Sequence, residues 1–513
     1  MFINIASQYF LMKIVKESKS LCPVCQKVIP MTVYEEDGVI WLKKECPVHG
    51  VFEDVYWGDA KLYYWFAEWD QEKYVGTGLE NPRTKVEKGC PFDCGLCPNH
   101  KTYTILGIID VTNRCNLRCP ICFAHAGASG YVYEPSFEQI VEMMKNLRAN
   151  RPWPCNALQF SGGEPTLRND LPELVAEAKK LGFKWVCVDT NGIRVAEDIE
   201  YFKALDDAGM SSLYLQFDST RPEVYIKTRG RDIFKYKLKV IENARKLGFD
   251  SIVLVVTLAK GVNDQDMWDI IKFAAKNSDV IRCVNVQPIS FAGRAKREEL
   301  KKMRITIPDF MKLVEEQSEG VVKVEDFRPV NWPVPFAKMV GVLKNKHYPL
   351  FTAHPHCGSA TFILVDRKEN GEVEITPITR VVDVDKLAED CWKIAEEYKK
   401  GILGKLSIVK LLRHIKSKVI RQLIADVIKY GSYKALGKFM RSIVMIGCMH
   451  FMDVWNFDLQ RVERCCIHYA VPDGRIISFC TYNSIHRPRV EKKFAIPVEE
   501  WEKKTGKKVD EYA

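Results

Sequence analysis

The chain has 513 residues, of which 47% are hydrophobic and 11% aromatic. That is enough for two or three domains with a large core, and it excludes disordered and collagen-like proteins. The formal charge of +10 is nearly all local: twelve Lys or Arg stand against Asp426 alone between positions 399 and 441, and the remainder is close to neutral.

Eighteen cysteines spread through so long a chain point to metal ligation in a reducing compartment, not to a small disulfide scaffold. No apolar run is long enough to span a bilayer. The first fifteen residues lack a basic start and a small-residue cleavage site, so they do not read as a signal peptide.

Residues 1–75 form the first expected unit. Cys22-Pro-Val-Cys25 and Cys46-Pro-Val-His49 flank β-rich sequence from 31 to 42, the pattern of two knuckles joined by a hairpin. Cys22, Cys25, Cys46 and His49 would then hold one ion, and zinc and iron both remain open. Residues 76–104 carry Cys90-Pro-Phe-Asp-Cys94-Gly-Leu-Cys97, a C-x-x-x-C-x-x-C triad with no strand–helix unit directly behind it. It reads as an auxiliary cluster site.

Residues 105–320 alternate strand-like runs (105–111, 157–160, 185–189, 212–217, 251–258, 282–288) with helical ones (137–149, 171–181, 198–208, 236–247, 265–276, 308–318). Six β/α units in a row imply a parallel sheet, open or partly closed into a barrel, with functional residues at the carboxyl ends of its strands. A second C-x-x-x-C-x-x-C, Cys115, Cys119 and Cys122, follows the first strand. Three thiolates on one loop suit three corners of a [4Fe–4S] cube and leave one iron open. A zinc site would need a fourth ligand, which His125 could supply.

Residues 321–513 form the last unit. Within it, 399–445 is a basic insert whose apolar residues recur three or four apart, the mark of amphipathic helices. Such helices can lie on an anionic membrane surface, cover a protein core, or face nucleic acid. Cys357, Cys448, Cys465, Cys466 and Cys480 add further candidate metal ligands, while Cys155, Cys187, Cys283 and Cys391 stand in apolar or lone contexts and read as core.

With these motifs in order, the region 105–320 resembles the radical S-adenosylmethionine (SAM) superfamily. That resemblance implies a partial (β/α)6 barrel of α/β class between a rubredoxin-like or zinc-knuckle N-terminal domain and a C-terminal auxiliary-cluster domain. It also implies cluster ligation and catalysis at Cys115, Cys119 and Cys122. Ser161-Gly162-Gly163-Glu164 looks like the motif that holds the SAM amino group, with glycines for close approach and a carboxylate for an ammonium. Asn191, Asp218 and Gln287 end later strands where ribose and substrate should lie. Ile121 occupies the position usually held by an aromatic residue, so Phe123 is the candidate adenine contact. The expected cofactors are SAM, three [4Fe–4S] clusters and one mononuclear iron or zinc.

The knuckle, the upstream triad and the stretch 447–483 together resemble, more narrowly, the archaeal tetraether lipid synthases. That implies joining terminal methyl carbons of two phytanyl chains of diether phospholipids, with two SAM consumed per bond. It further implies an electron donor such as ferredoxin, no nucleic acid, and a cytoplasmic location peripheral to the membrane, where the basic insert would meet a phosphate headgroup. Two rivals stand beside it: another radical SAM enzyme with auxiliary clusters (a peptide maturase or a methyltransferase), and a multi-zinc protein that binds nucleic acid.

Overall fold

A computed structural model describes residues 13–71, 79–127, 129–295, 300–399, 411–430, 432 and 443–509. The N-terminal unit is an antiparallel sheet in the order β1 (Lys13–Leu21), β2 (Val28–Glu36), β3 (Val39–Cys46) and β4 (Gly50–Trp57). Its apolar positions alternate, so Met31, Val33, Ile40 and Leu42 all face inward and are buried. The helix Ala60–Glu68, capped by the Asp59 carboxylate on the Leu62 N–H, adds Tyr63 and Phe66 to that layer.

This unit is bolted to the rest of the molecule. Arg304 reaches Asp54 of β4 at 2.6 Å and Asp453 at 2.9 Å, and all three are buried. Lys44 donates to the Val454 carbonyl at 2.7 Å and to Ser20 Oγ at 3.1 Å. Asp458 gathers Lys16, Ser18 and Tyr56, each at 2.8 Å.

The six sequence-predicted strands form the central sheet: β5 (Leu106–Thr112), β7 (Ala157–Gly162), β8 (Trp185–Thr190), β9 (Ser212–Gln216), β10 (Ile252–Leu258) and β11 (Ile281–Pro288). They pair in parallel and in chain order. A short strand, β6 (Tyr131–Val132), lies outside this sheet. Helices between the strands cover one face. Phe137–Arg148, opened by a Ser136/Gln139 capping box, buries Ile140, Met143, Met144 and Leu147 at helical spacing. One face of each strand is buried under these helices, while on the other Gln159, Ser161, Tyr214, Gln216 and Gln287 are only half-buried. The fold is the partial (β/α)6 barrel that the resemblance implied.

The C-terminal unit is not separate from the barrel, as the division at 321 implied. Its strand β15 (Val444–Met449) runs parallel beside β11, and β16 (Ile467–Ala470) runs parallel beside β5. Both open edges of the six-stranded sheet are thereby covered, which disposes of unpaired backbone donors and acceptors. Beyond β15 come β13 (Gly358–Arg367), then β12 (Arg328–Pro329) and β14 (Val373–Pro377), all antiparallel to their neighbours; β17 (Ile476–Ser478) follows β16. The segment from Met449 to Ile467 therefore crosses from one barrel edge to the other.

Two expectations change here. Cys448 lies on β15 between β11 and β13, wholly buried in the main core, with Asp309 the charged group that perturbs it. It is a core residue rather than a ligand, because insertion of β15 into the sheet turns its side chain inward. Within the basic insert, positions 400–410, 431 and 433–442 lie outside the described residues. In the helix Lys418–Tyr430, Ile420, Leu423 and Ile424 cover protein: they pack against Met339, Val382 and Cys391 in a second core. Among the described residues, no helix is long and apolar enough to cross a membrane.

Candidate active site and metal centres

A cavity of about 220 Å³ opens at the carboxyl ends of the barrel strands. Cys115, Cys119 and Cys122 line it, as do Phe123, Gly162, Gly163, Glu164, Asn191 and Gln287, so nine of the ten residues singled out for the cluster and SAM meet at one place. Asp218 is the exception. It is wholly buried behind Arg229, whose Nε and Nη2 meet the two carboxylate oxygens at 2.7 Å each, and Thr228 and the Thr257 N–H donate to it as well. Burial opposes its charge, but Arg229 and these donors hold its pKa below the usual carboxylate value.

Arg229 itself lines the cavity beside Cys119. Burial pushes that thiol up, and the guanidinium pulls it down toward the thiolate a metal wants. Sequence reasoning missed Arg229, since Thr-Arg-Gly inside a polar helix end carries no local sign of a site. Arg294, also missed, donates to the Cys119 carbonyl at 2.9 Å, and Arg118 does the same to the Cys115 carbonyl. The cysteine loop is thus clamped by its backbone oxygens.

The glycines of the Gly-Gly-Glu motif line the cavity and also make a close backbone contact of their own. A Cβ on Gly162 would stand 2.2 Å from the Thr112 carbonyl oxygen, and one on Gly163 would stand 2.1 Å from that of Arg114. They let the end of β7 press against the root of the cysteine loop. Glu164 is held rigid by Thr166 N–H at 3.2 Å, Thr190 Oγ1 at 2.8 Å, Asn191 N–H at 2.7 Å and the Thr166 hydroxyl. Burial still raises its carboxyl. Asn191 ties β8 to the loop through Asn116 at 2.6 Å, and Lys237, brought down to about 7 by burial and by Arg229, donates to the Asn191 carbonyl and to Gln216 Oε1.

Gln159 and Asp189 form another polar wall, joined at 2.7 Å; desolvation raises the Asp189 carboxyl to about 7, against hydrogen bonds from Ser161 and Gln159. The far side comes from the C-terminal unit: Phe451, Met452, Tyr469, Phe479 and Asn483. Phe451 stacks on Phe479 with ring centroids 3.8 Å apart, and Phe123 stands 6.2 Å from Phe479. A neighbouring hollow of about 460 Å³ shares Phe123, Ala124 and Asn483 and has Pro23 and Gln26 of the N-terminal unit on its wall.

The metal donors separate by size. Cys22, Cys25, Cys46 and His49 place their ligand atoms within 4.8 Å of one another, with His49 Nδ1 at 3.6 Å from Cys22 Sγ and 3.4 Å from Cys46 Sγ. These separations suit a single tetrahedral ion. Among the described residues it is the one such group; Cys115, Cys119, Cys122 and the exposed His125 are not drawn in that tightly, as a cube-sized guest requires. Cys90, Cys94 and Cys97 share a pocket with His100 and Glu463. Burial raises the thiols of Cys465, Cys466 and Cys480, with neighbouring cysteines adding to it in each case, and Arg461 donates to Cys357 Sγ at 3.4 Å. Phe479, which lines the cavity, is the chain neighbour of Cys480.

Comparison with known proteins agrees with this layout. Residues 109–274 match the radical SAM superfamily, and residues 14–58 match the HMPTM N-terminal zinc ribbon domain. The chain is 51% identical over 502 residues to the 7,8-dihydro-6-hydroxymethylpterin dimethyltransferase of Methanocaldococcus jannaschii, covering 95% of this chain and 97% of that protein. It is 32% identical over 185 residues to the GTP 3',8-cyclase of Limosilactobacillus fermentum, covering 35% of this chain and 54% of that one. Among solved structures, Streptococcus suis SuiB bound to its precursor peptide SuiA matches at 16% identity and a TM-score of 0.36, over 44% of this chain and 47% of that one.

The expected likeness to tetraether lipid synthases, and with it the coupling of phytanyl chains, is corrected by the Methanocaldococcus relative. That similarity runs through 95% of the chain and leads to a protein named as a pterin methyltransferase. The stretch 447–483 is therefore no signature of a lipid substrate.

Proposed function

Because the chain belongs to the family of the Methanocaldococcus jannaschii 7,8-dihydro-6-hydroxymethylpterin dimethyltransferase, within the radical SAM superfamily, we propose that it installs methyl groups on a reduced hydroxymethylpterin. The observation that carries this reading is similarity over nearly the whole length of both chains. The cavity supports it. A pterin has flat faces and an edge of N–H donors beside a carbonyl. Phe123, Tyr469 and Phe479 offer aromatic faces, and Asp189, Gln159, Gln216 and Gln287 offer hydrogen-bonding partners for the edge.

In this reading Cys115, Cys119 and Cys122 hold the cluster and the surrounding strand ends hold SAM. Bound together, these cofactors supply one chemistry, reductive cleavage of the sulfonium to a radical able to attack carbons that no acid or base can activate. The protein does the rest by position. Arg229 favours the thiolate of Cys119, Arg118 and Arg294 fix the loop, and Glu164 keeps its place through four hydrogen bonds. The wall of Phe451, Met452 and Phe479 keeps water from the reacting groups. Superfamily members need an external reductant; we assign that part to a small iron–sulfur protein such as a ferredoxin, with the auxiliary cysteines on its route.

Anaerobic incubation of 7,8-dihydro-6-hydroxymethylpterin with a reductant, SAM and a one-carbon donor (further SAM in one arm, a methylene-carrying reduced folate in another) should yield pterin products heavier by one and then two CH2 groups. Formation of 5′-deoxyadenosine that ignores the pterin, with no methylated product, sinks the reading. Cys119→Ala should abolish 5′-deoxyadenosine while most of the iron is retained.

A further inference from the structure

Asp218 and Arg229 form an ion pair shielded from solvent on both sides: the Asp218 side chain is 0% exposed and that of Arg229 is 11% exposed. Pairing at this depth adds little net stability, because desolvation of the two ions offsets their attraction. Apolar side chains would fasten the helix Pro222–Arg229 to the strand ends as well. The charges therefore need a reason other than stability.

That helix and the turn after it lie on the cysteine loop. Tyr225 packs with Leu117 and Cys119 in one apolar cluster. A Cβ on Gly230 would come 3.7 Å from the Arg118 carbonyl oxygen, and Arg231 donates to the Asn116 carbonyl at 3.5 Å. Arg229, between these contacts, lines the cavity together with Cys119, whereas Asp218 does not reach it. Both Asp218 oxygens fix the guanidinium, and Thr257 Oγ1 accepts from its Nη2 at 3.0 Å. Burial opposes the charge of Arg229, yet Asp218 and Cys119 hold its pKa above the usual guanidinium value. The pair is a fixed dipole, its positive end toward Cys119 and its negative end withdrawn.

Each electron that a [4Fe–4S] cube takes up adds one negative charge, and its potential follows net charge, hydrogen bonds to sulfur and solvent exposure. A cation at one corner therefore favours the reduced cube. We propose that Arg229, positioned by Asp218, raises the reduction potential of the SAM cluster. It thereby sets how readily the cube accepts one electron, without a proton, from the iron–sulfur reductant assigned above. Asp218 limits the effect, since its own charge opposes reduction. The inference rests on the radical SAM part of the proposed function and not on the pterin.

Potentiometric titration of the full-length, cluster-loaded protein, followed by electron paramagnetic resonance without SAM or pterin, tests it. The signal of this cluster is the one missing from Cys119→Ala. Arg229→Gln should cut the ratio of reduced to oxidised cluster about tenfold at a fixed potential, a midpoint about 59 mV lower. Asp218→Asn leaves the guanidinium unbalanced and should move the midpoint upward. Midpoints that stay in place, or that move in the same direction in the two variants, overturn the proposal. If one variant fails to hold this cluster, the other decides; loss of the cluster from both makes the pair structural and overturns it as well. Opposite shifts in a protein inert toward pterin would support the proposal and sink the substrate reading alone.

Discussion

Asp189 shows how much of the chemistry at the barrel mouth is set by single side chains. Its carboxyl, raised to about 7 by burial, is neutral in mild acid and ionised above neutrality. If it accepts hydrogen bonds from a pterin edge, the ionised form binds better. Pterin affinity, measured by equilibrium titration, should then weaken as pH falls below about 7, approaching tenfold per unit; in Asp189→Asn this dependence should vanish. A pH dependence unchanged by the substitution would remove Asp189 from the binding edge. Cys448 and Arg229 mark the limits of reading residues from sequence. Cys448 stands in Gly-Cys-Met-His, which looks like a ligand motif, yet pairing with β11 and β13 makes it core. Arg229 looks like a helix end, yet Asp218, 11 residues away, aims it at the cluster loop.

At the scale of elements, the meeting of β7 with the cysteine loop has no slack. Gly163→Ala would put a methyl group 2.1 Å from the Arg114 carbonyl oxygen, and backbone on both sides must yield. The expected result is a destabilisation of about 2–4 kcal/mol with iron lost from the SAM cluster, read as a lowered melting midpoint and a fall in the iron-to-protein ratio. The six β/α units were legible because each is written locally: an apolar run for the buried strand, then helical spacing with a cap. Strands β15 and β16 were not. Their partners, β11 and β5, lie more than 150 and 350 residues away, and short strands of mixed character do not announce pairings at such distance. For the same reason the apolar stripe of Lys418–Tyr430 was visible, but the core it covers was not.

At the scale of the molecule, the zinc ribbon and the barrel behave as one body. Arg304→Leu would leave Asp54 and Asp453 buried without their shared counter-charge, which should cost about 3–5 kcal/mol. Limited proteolysis should then release the N-terminal 58 residues faster than in the original protein, and unchanged kinetics would show that other contacts suffice. The chain between Met449 and Ile467 has a further consequence. Because it spans the barrel from one outer strand to the opposite one, it works as a crossbar that prevents the half-barrel from spreading. The hollow of about 460 Å³ that shares Phe123, Ala124 and Asn483 with the site has Pro23 and Gln26 of the small metal-binding domain on its wall. Removing that domain's ion should therefore disturb ground bordering the site, read as a changed affinity for the pterin in the protein stripped of that ion.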